Sequence, residues 1–127
     1  MNRIKEVELA GKKYPLNFST FAVKKVIGKY GSLQGMEKAF ANGEKDPGNV
    51  LEEFCWILSV LIDQGCKYEK VVNGQEITPL SQEEIEIIIG PFDLEGIMQL
   101  VLEAIAAGQK REVEVNPSKN GKATQGK

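Results

Sequence analysis

Apolar and polar residues alternate at two places near the start of the chain: Val7 and Leu9 between Glu6 and Glu8, then Tyr14, Leu16 and Phe18 beyond Gly11. Two runs of period two around a glycine predict a β-hairpin over residues 3–18 with one apolar face. At Ser19 the period lengthens. Ala22, Val23, Val26, Ile27 and Tyr30 recur at helical spacing with Lys24, Lys25 and Lys29 outside, and Ser19 offers the side-chain acceptor that a helix start needs. A first helix from Ser19 or Thr20 to about Tyr30 is expected, ended by Gly31. Ser32 then opens a short second helix to about Asn42, burying Leu33, Met36 and Phe40 and stopped by Gly43. Residues 44–49, with Pro47 and Gly48, read as a surface loop.

The third helix, from Pro47 or Asn49 to Gln64, is the most apolar segment. Leu51, Phe54, Cys55, Leu58, Leu61 and Ile62 form one stripe, widened by Val50 and Ile57, so this helix is expected at the centre of the fold. Residues 65–80 carry two readings. Asn73-Gly74 is a two-residue hairpin signature, whereas Lys67 to Val72 can extend the helix past Gly65 until Gly74 stops it. The helical reading, followed by a loop, is the one adopted. Ser81-Gln-Glu-Glu84 is a capping box opening a helix with Ile85, Ile88 and Ile89, closed by Gly90-Pro91. Asp93 caps a last helix whose stripe is Leu94, Ile97, Met98, Val101, Leu102 and Ile105, ending at Gly108. The predicted architecture is therefore α+β and mainly α, an N-terminal hairpin before a bundle of about five helices. Residues 1–108 form one globular domain, with the helical body over 19–108. Residues 109–127 are poor in apolar side chains and read as a flexible tail. Within it Glu112–Val115 alternates, and is weighed as a third strand beside the hairpin against simple fraying.

Composition narrows the function classes. With 42% hydrophobic and 27% charged residues the chain is of globular type. The net charge of −2 is unevenly spread: residues 109–127 hold five Lys or Arg against two Glu, leaving a net −5 on the preceding body. An acidic body has no electrostatic footprint for a phosphate backbone, so no nucleic-acid partner is expected. No apolar run reaches the roughly 18–20 residues that span a bilayer, and charged residues occupy the N-terminus where a signal peptide is apolar. A cytoplasmic protein without a membrane partner is expected. Cys55 and Cys66 would stand about 16 Å apart along one helix at 1.5 Å per residue, too far for a disulfide, and are expected as free thiols.

Candidate chemistry is sparse. The chain has no histidine, which removes the commonest general base and metal ligand together. Two cysteines without Cys-x-x-Cys spacing make no zinc site, and no phosphate-binding loop is present. The pairs Glu52–Glu53 and Glu83–Glu84 fall at helix starts, where the helix dipole favours negative charge. No enzyme, metal or cofactor is expected. Lys24, Lys25 and Lys29 are read as the solvated face of the first helix, with no aromatic residue interleaved among them. Trp56 and Val60 stand off the apolar stripe of the third helix. They are either covered, the sheet lying over them, or an exposed patch for a partner or a second copy of the chain. Met36 and Met98 are flexible side chains that could adapt a binding surface, although both fit core positions equally well.

The succession Val7-Glu-Leu-Ala-Gly-Lys-Lys-Tyr-Pro-Leu-Asn-Phe18, Phe21-Ala22, Lys29-Tyr-Gly-Ser-Leu33, Leu61-Ile-Asp-Gln-Gly65, Leu80-Ser-Gln-Glu-Glu-Ile85 and Glu103-Ala-Ile-Ala-Ala-Gly108 resembles the tail assembly chaperones of long-tailed bacteriophages and prophages of Gram-positive hosts. The resemblance runs over about residues 4–110 and consists of turn, cap and core patterns in order. It implies a strand pair with a helical body and a protein that acts by binding alone. The implied partners are the tape-measure protein, kept soluble, and tail-tube subunits, recruited during assembly. The implied location is the host cytoplasm, with the chaperone missing from the mature virion and a frameshifted longer product in many relatives. A small non-catalytic adaptor and a structural tail or connector component are the rival classes. No binding residue carries over by position, so Trp56, Val60, Met36 and Met98 are candidates on exposure and chemistry alone.

Overall fold

The computed structural model describes residues 4–41, 47–90 and 93–108. Among these the chain forms β1 (Lys5–Leu9), β2 (Lys12–Leu16), α1 (Thr20–Tyr30), α2 (Leu33–Ala41), α3 (Pro47–Asn73), α4 (Gln82–Ile88) and α5 (Leu94–Gly108). This is the α+β, mainly helical arrangement that the patterning predicts, with the hairpin at the N-terminus and five helices after it. The expected tail with its strand at 112–115, the stop at Gly43 and the proline of Gly90-Pro91 lie outside the described residues.

β1 and β2 pair antiparallel with Val7 opposite Tyr14 and Leu9 opposite Lys12. The intervening turn is Ala10-Gly11, and both residues have positive φ, 52° and 79°. That is the backbone of a two-residue hairpin whose twist matches that of the strands. Val7, Leu9, Tyr14 and Leu16 are buried. β2 lies along α3, and β1 lies against α5.

α3 is the spine of the molecule. Its 27 residues span about 40 Å at 1.5 Å per residue. The sequence reading took the main helix to about Gln64 and adopted a helical reading of Lys67 to Val72, past Gly65, with Gly74 as the stop. The structure carries it through Gly65 to Asn73, and Gly74, at φ 69°, ends it by donating its N–H to the Lys70 carbonyl at 3.2 Å. The adopted helical reading of this segment holds, as a continuation of α3, and the alternative hairpin at Asn73-Gly74 does not form. Gly65 is tolerated because of what crosses it: a Cβ there would overlap the Pro15 carbonyl of β2. Glycine inside a helix costs about 1 kcal/mol relative to alanine. Here it lets the strand backbone come close enough for the Asn17 N–H to donate to the Leu61 carbonyl at 3.1 Å. A second close approach ends α5, where a Cβ on Gly108 would lie 2.5 Å from the Cβ of Phe18.

One cluster of buried side chains draws on both strands and all five helices, with Leu16, Val26, Ile57, Leu58, Leu61, Ile62, Ile85 and Val101 fully covered. Each large side chain so buried contributes about 1.5–3 kcal/mol against leaving it in water. Among the described residues three expected core positions are exposed instead: Ile27 on α1, Leu51 on α3 and Leu102 on α5. On α5 the buried face is Ile97, Val101, Ala104, Ile105 and Ala107. The small residues of that face permit the approach to Phe18, and the helix is rotated away from Leu102. Cys55 and Cys66 are both free thiols and both buried.

Candidate functional site

Two surfaces flank α3. The first is a cleft of about 450 Å³ lined by Gly48, Leu51, Glu52 and Cys55 of α3 and by Glu86, Ile89 and Gly90 at the end of α4. Spacings of three and four residues put Gly48, Leu51, Glu52 and Cys55 on one helical face. α4 starts at a capping box in which Ser81 accepts from Glu84 N–H and the Glu84 carboxylate accepts from Ser81 N–H. Gln82 ties it to α3 by donating to the Glu52 carbonyl at 3.3 Å. With seven residues, α4 is too short to close over the start of α3. Leu51 is left 45% exposed, with Cys55 beside it and a carboxylate on each wall. Burial, then the charge of Glu86, pushes the Cys55 thiol pKa upward. The cleft therefore holds neutral, apolar groups at its floor and acidic groups at its rim.

The second surface lies between α1 and α3, where Phe21, Lys24, Lys25, Gly28, Lys29 and Trp56 line a shallow depression. A run of edge-to-face aromatic rings leads out to it from the core: Phe54 to Phe40 at 6.4 Å, Phe40 to Tyr30 at 6.4 Å, and Tyr30 to Trp56 at 5.9 Å. Such pairs contribute about 0.5–1.5 kcal/mol each beyond area burial. Glu53 anchors the outer end. It accepts a hydrogen bond from the Tyr30 hydroxyl and forms an ion pair with Lys29 at 3.3 Å. Burial, and then that hydrogen bond and charge, raise the Tyr30 phenol pKa far above its ordinary value. Lys29 is thereby held over the Trp56 ring, with Nζ 4.4 Å from its centroid.

The four candidate residues from the sequence do not come together on one surface. Trp56 and Val60 are neighbours on α3, each half-buried and packed against the core cluster. The cover on Trp56 is Tyr30 and Lys29 of α1 rather than the hairpin, because β2 crosses α3 farther along, at Gly65. Met36 is buried on α2 and presents nothing to a partner in this conformation, and Met98 is half-buried on α5 against the core. Leu51, Ile89 and Phe21 are the residues of these two surfaces that sequence reasoning missed, and the buried Cys55 lines the cleft beside Leu51. Leu51 and Ile89 had been assigned to apolar stripes, and periodicity cannot say which member of a stripe is left uncovered. Phe21 lay one residue off its stripe, and only the position of Lys67 on α3 shows it as part of a face.

The reading of the α1 lysines as free of interleaved aromatics is corrected. Phe21 lies under Lys25 of α1 and Lys67 of α3, with Nζ atoms 5.4 Å and 5.9 Å from its centroid, and Trp56 lies under Lys29. Among the described residues no three His, Cys, Asp or Glu side chains are grouped to hold a metal ion, and no helix is long and apolar enough to cross a membrane. Comparison with protein-family models, curated proteins and solved structures finds no match to this chain.

Proposed function

We propose that this protein is a non-catalytic tail assembly chaperone of a long-tailed phage or prophage. It binds the tape-measure protein in the host cytoplasm, keeps it soluble and helps recruit tail-tube subunits before leaving the finished particle. The reading comes from the resemblance in the order of turn, cap and core motifs. The physical observation that supports it is the cleft between α3 and α4, with Leu51 exposed at its side. A helix of another polypeptide recognised in a groove needs an apolar strip with polar rims and no reacting group. The Leu51, Cys55 and Ile89 strip between Glu52 and Glu86 has that character. The acidic rims favour an occupant with Lys or Arg beside its apolar stripe.

Co-expression with a tape-measure fragment that aggregates alone tests the reading. The wild-type protein is expected to move that fragment into the soluble fraction. Leu51→Asp is expected to abolish the rescue while the variant's own melting temperature stays within a degree or two, since an exposed leucine contributes little to the core. A fragment that stays insoluble beside the wild-type protein sinks the reading. Finding the protein in purified particles assigns it to the structural components of the tail instead.

A further inference from the structure

We infer that the face formed by Phe21, Lys24, Lys25, Lys29, Trp56 and Lys67 is a second docking surface, and that its occupant is an acidic segment of another polypeptide. The face lies on a different flank of α3 from the cleft: Leu51, Glu52 and Cys55 line the cleft, whereas Trp56, Asp63 and Lys67 turn toward α1. It is independent of the tape-measure reading.

Charge complementarity selects the occupant. Three lysines, Lys25, Lys29 and Lys67, lie over two aromatic rings, and Lys24 lines the same depression, on a body that is otherwise acidic. Two are already engaged, Lys29 with Glu53 at 3.3 Å and Lys67 with Asp63 at 3.2 Å. Among the described residues Lys24 and Lys25 form no ion pair, and both are exposed. Phe21 is 45% exposed, more than stacking beneath two lysine stems needs. Gly28 leaves the floor open between Phe21 and Trp56, with nothing within 4 Å of where its Cβ would be. An incoming helix can therefore lay one apolar side chain over Gly28 and present carboxylates to Lys24 and Lys25. Nucleic acid is disfavoured. The carboxylates of Glu53 and Asp63 already pair with Lys29 and Lys67, which leaves two unpaired lysines on a net acidic body, too few to neutralise a run of phosphates.

Trp56 is the only tryptophan in the chain, so its fluorescence reports on this face alone. The probes are a synthetic amphipathic peptide of leucine and glutamate, its counterpart with glutamine for glutamate, and a single-stranded oligouridylate. The glutamate peptide is expected to change Trp56 emission saturably, with an affinity that falls as salt is raised. The double substitution Lys24→Glu with Lys25→Glu is expected to weaken that binding by about tenfold or more. Far-UV circular dichroism checks that the variant is folded, both side chains being exposed. Four results overturn the inference: no response to the glutamate peptide, equal binding of the glutamine peptide, equal binding by the double variant, or tighter binding of the oligouridylate.

Discussion

Two stretches of α3 have nearly the same density of apolar residues and opposite surroundings. From Ile57 to Cys66 the helix is covered on most sides, with Ile57, Leu58, Leu61 and Ile62 fully buried and Gln64 and Cys66 nearly so. From Gly48 to Trp56 only Val50, Phe54 and Cys55 are buried, and Leu51 faces the cleft. The difference is one of access for backbone. In the middle stretch Gly65 lets β2 lie directly on the helix, and the Asn17, Ser19 and Gln64 side chains seal that junction with hydrogen bonds. In the first stretch α1 and α2 cover the side of Phe54 and Trp56, whereas on the side of Leu51 the neighbour is the short α4, which leaves the leucine uncovered. The closed stretch holds the fold, and the open one is free to take a ligand.

Replacing a glycine in each stretch breaks the comparison most directly. Gly65→Ala forces a methyl group into the Pro15 carbonyl, which the strand can relieve only by retreating and giving up the bond from Asn17 to Leu61. A loss of about 3 kcal/mol is expected in urea unfolding, at the upper end of what overpacking usually costs. Gly48→Ala has nothing within 4 Å of its new methyl group and is expected to be neutral or to stabilise by up to about 1 kcal/mol through helix propensity. Equal effects at the two sites would mean that the strand does not clamp α3.

Each stretch also carries one thiol. Cys55 lines the cleft, whereas Cys66 belongs to the closed side. Burial, then the charges of Asp63 and Glu69, push the Cys66 thiol up to about 11, so its reactive thiolate is a minute fraction at pH 8. Cys55 is also shifted upward, but a small reagent reaches it by a local movement of Leu51 or Ile89. Maleimide labelling followed by mass spectrometry is expected to modify Cys55 about tenfold faster than Cys66, equivalent to about 1.4 kcal/mol between the two openings. A segment seated in the cleft should erase that difference. If Cys66 reacts first, the assignment of closed and open stretches is reversed.

What the sequence showed follows the same division. The hairpin was legible because Val7, Leu9, Tyr14 and Leu16 alternate about Gly11, and the helix starts at Ser19 and Ser81 because serine before an apolar period has one local use. These are short-range features, settled within a few residues. The full length of α3 was legible only as one of two readings, because Gly65 reads locally as a stop and Asn73-Gly74 as a turn, and the strand packed across Gly65 is what accounts for the helix continuing to Asn73. The exposure of Leu51 and the joining of Phe21 to Lys67 depend on residues dozens of positions apart. Periodicity finds a helix's apolar side but not the neighbour that arrives to cover it.

The smallest expected effect separates local from tertiary contributions within one residue type. Ser19 and Ser81 both accept a backbone N–H at their helix starts, from Ala22 and from Glu84, each at 3.1 Å. Ser81 is exposed, and its capping box involves α4 alone. Ser19 in addition donates its hydroxyl to the Gln64 side chain at 2.5 Å, joining the start of α1 to the closed stretch of α3. Ser81→Ala is expected to cost about 1 kcal/mol, the usual value of a cap. Ser19→Ala should cost about 2 kcal/mol, because the Gln64 side-chain carbonyl also loses a donor where water has little access. Urea midpoints of the two variants measure the gap, and in a Gln64→Ala background it should close, since the tertiary part of the Ser19 contribution has then already been removed.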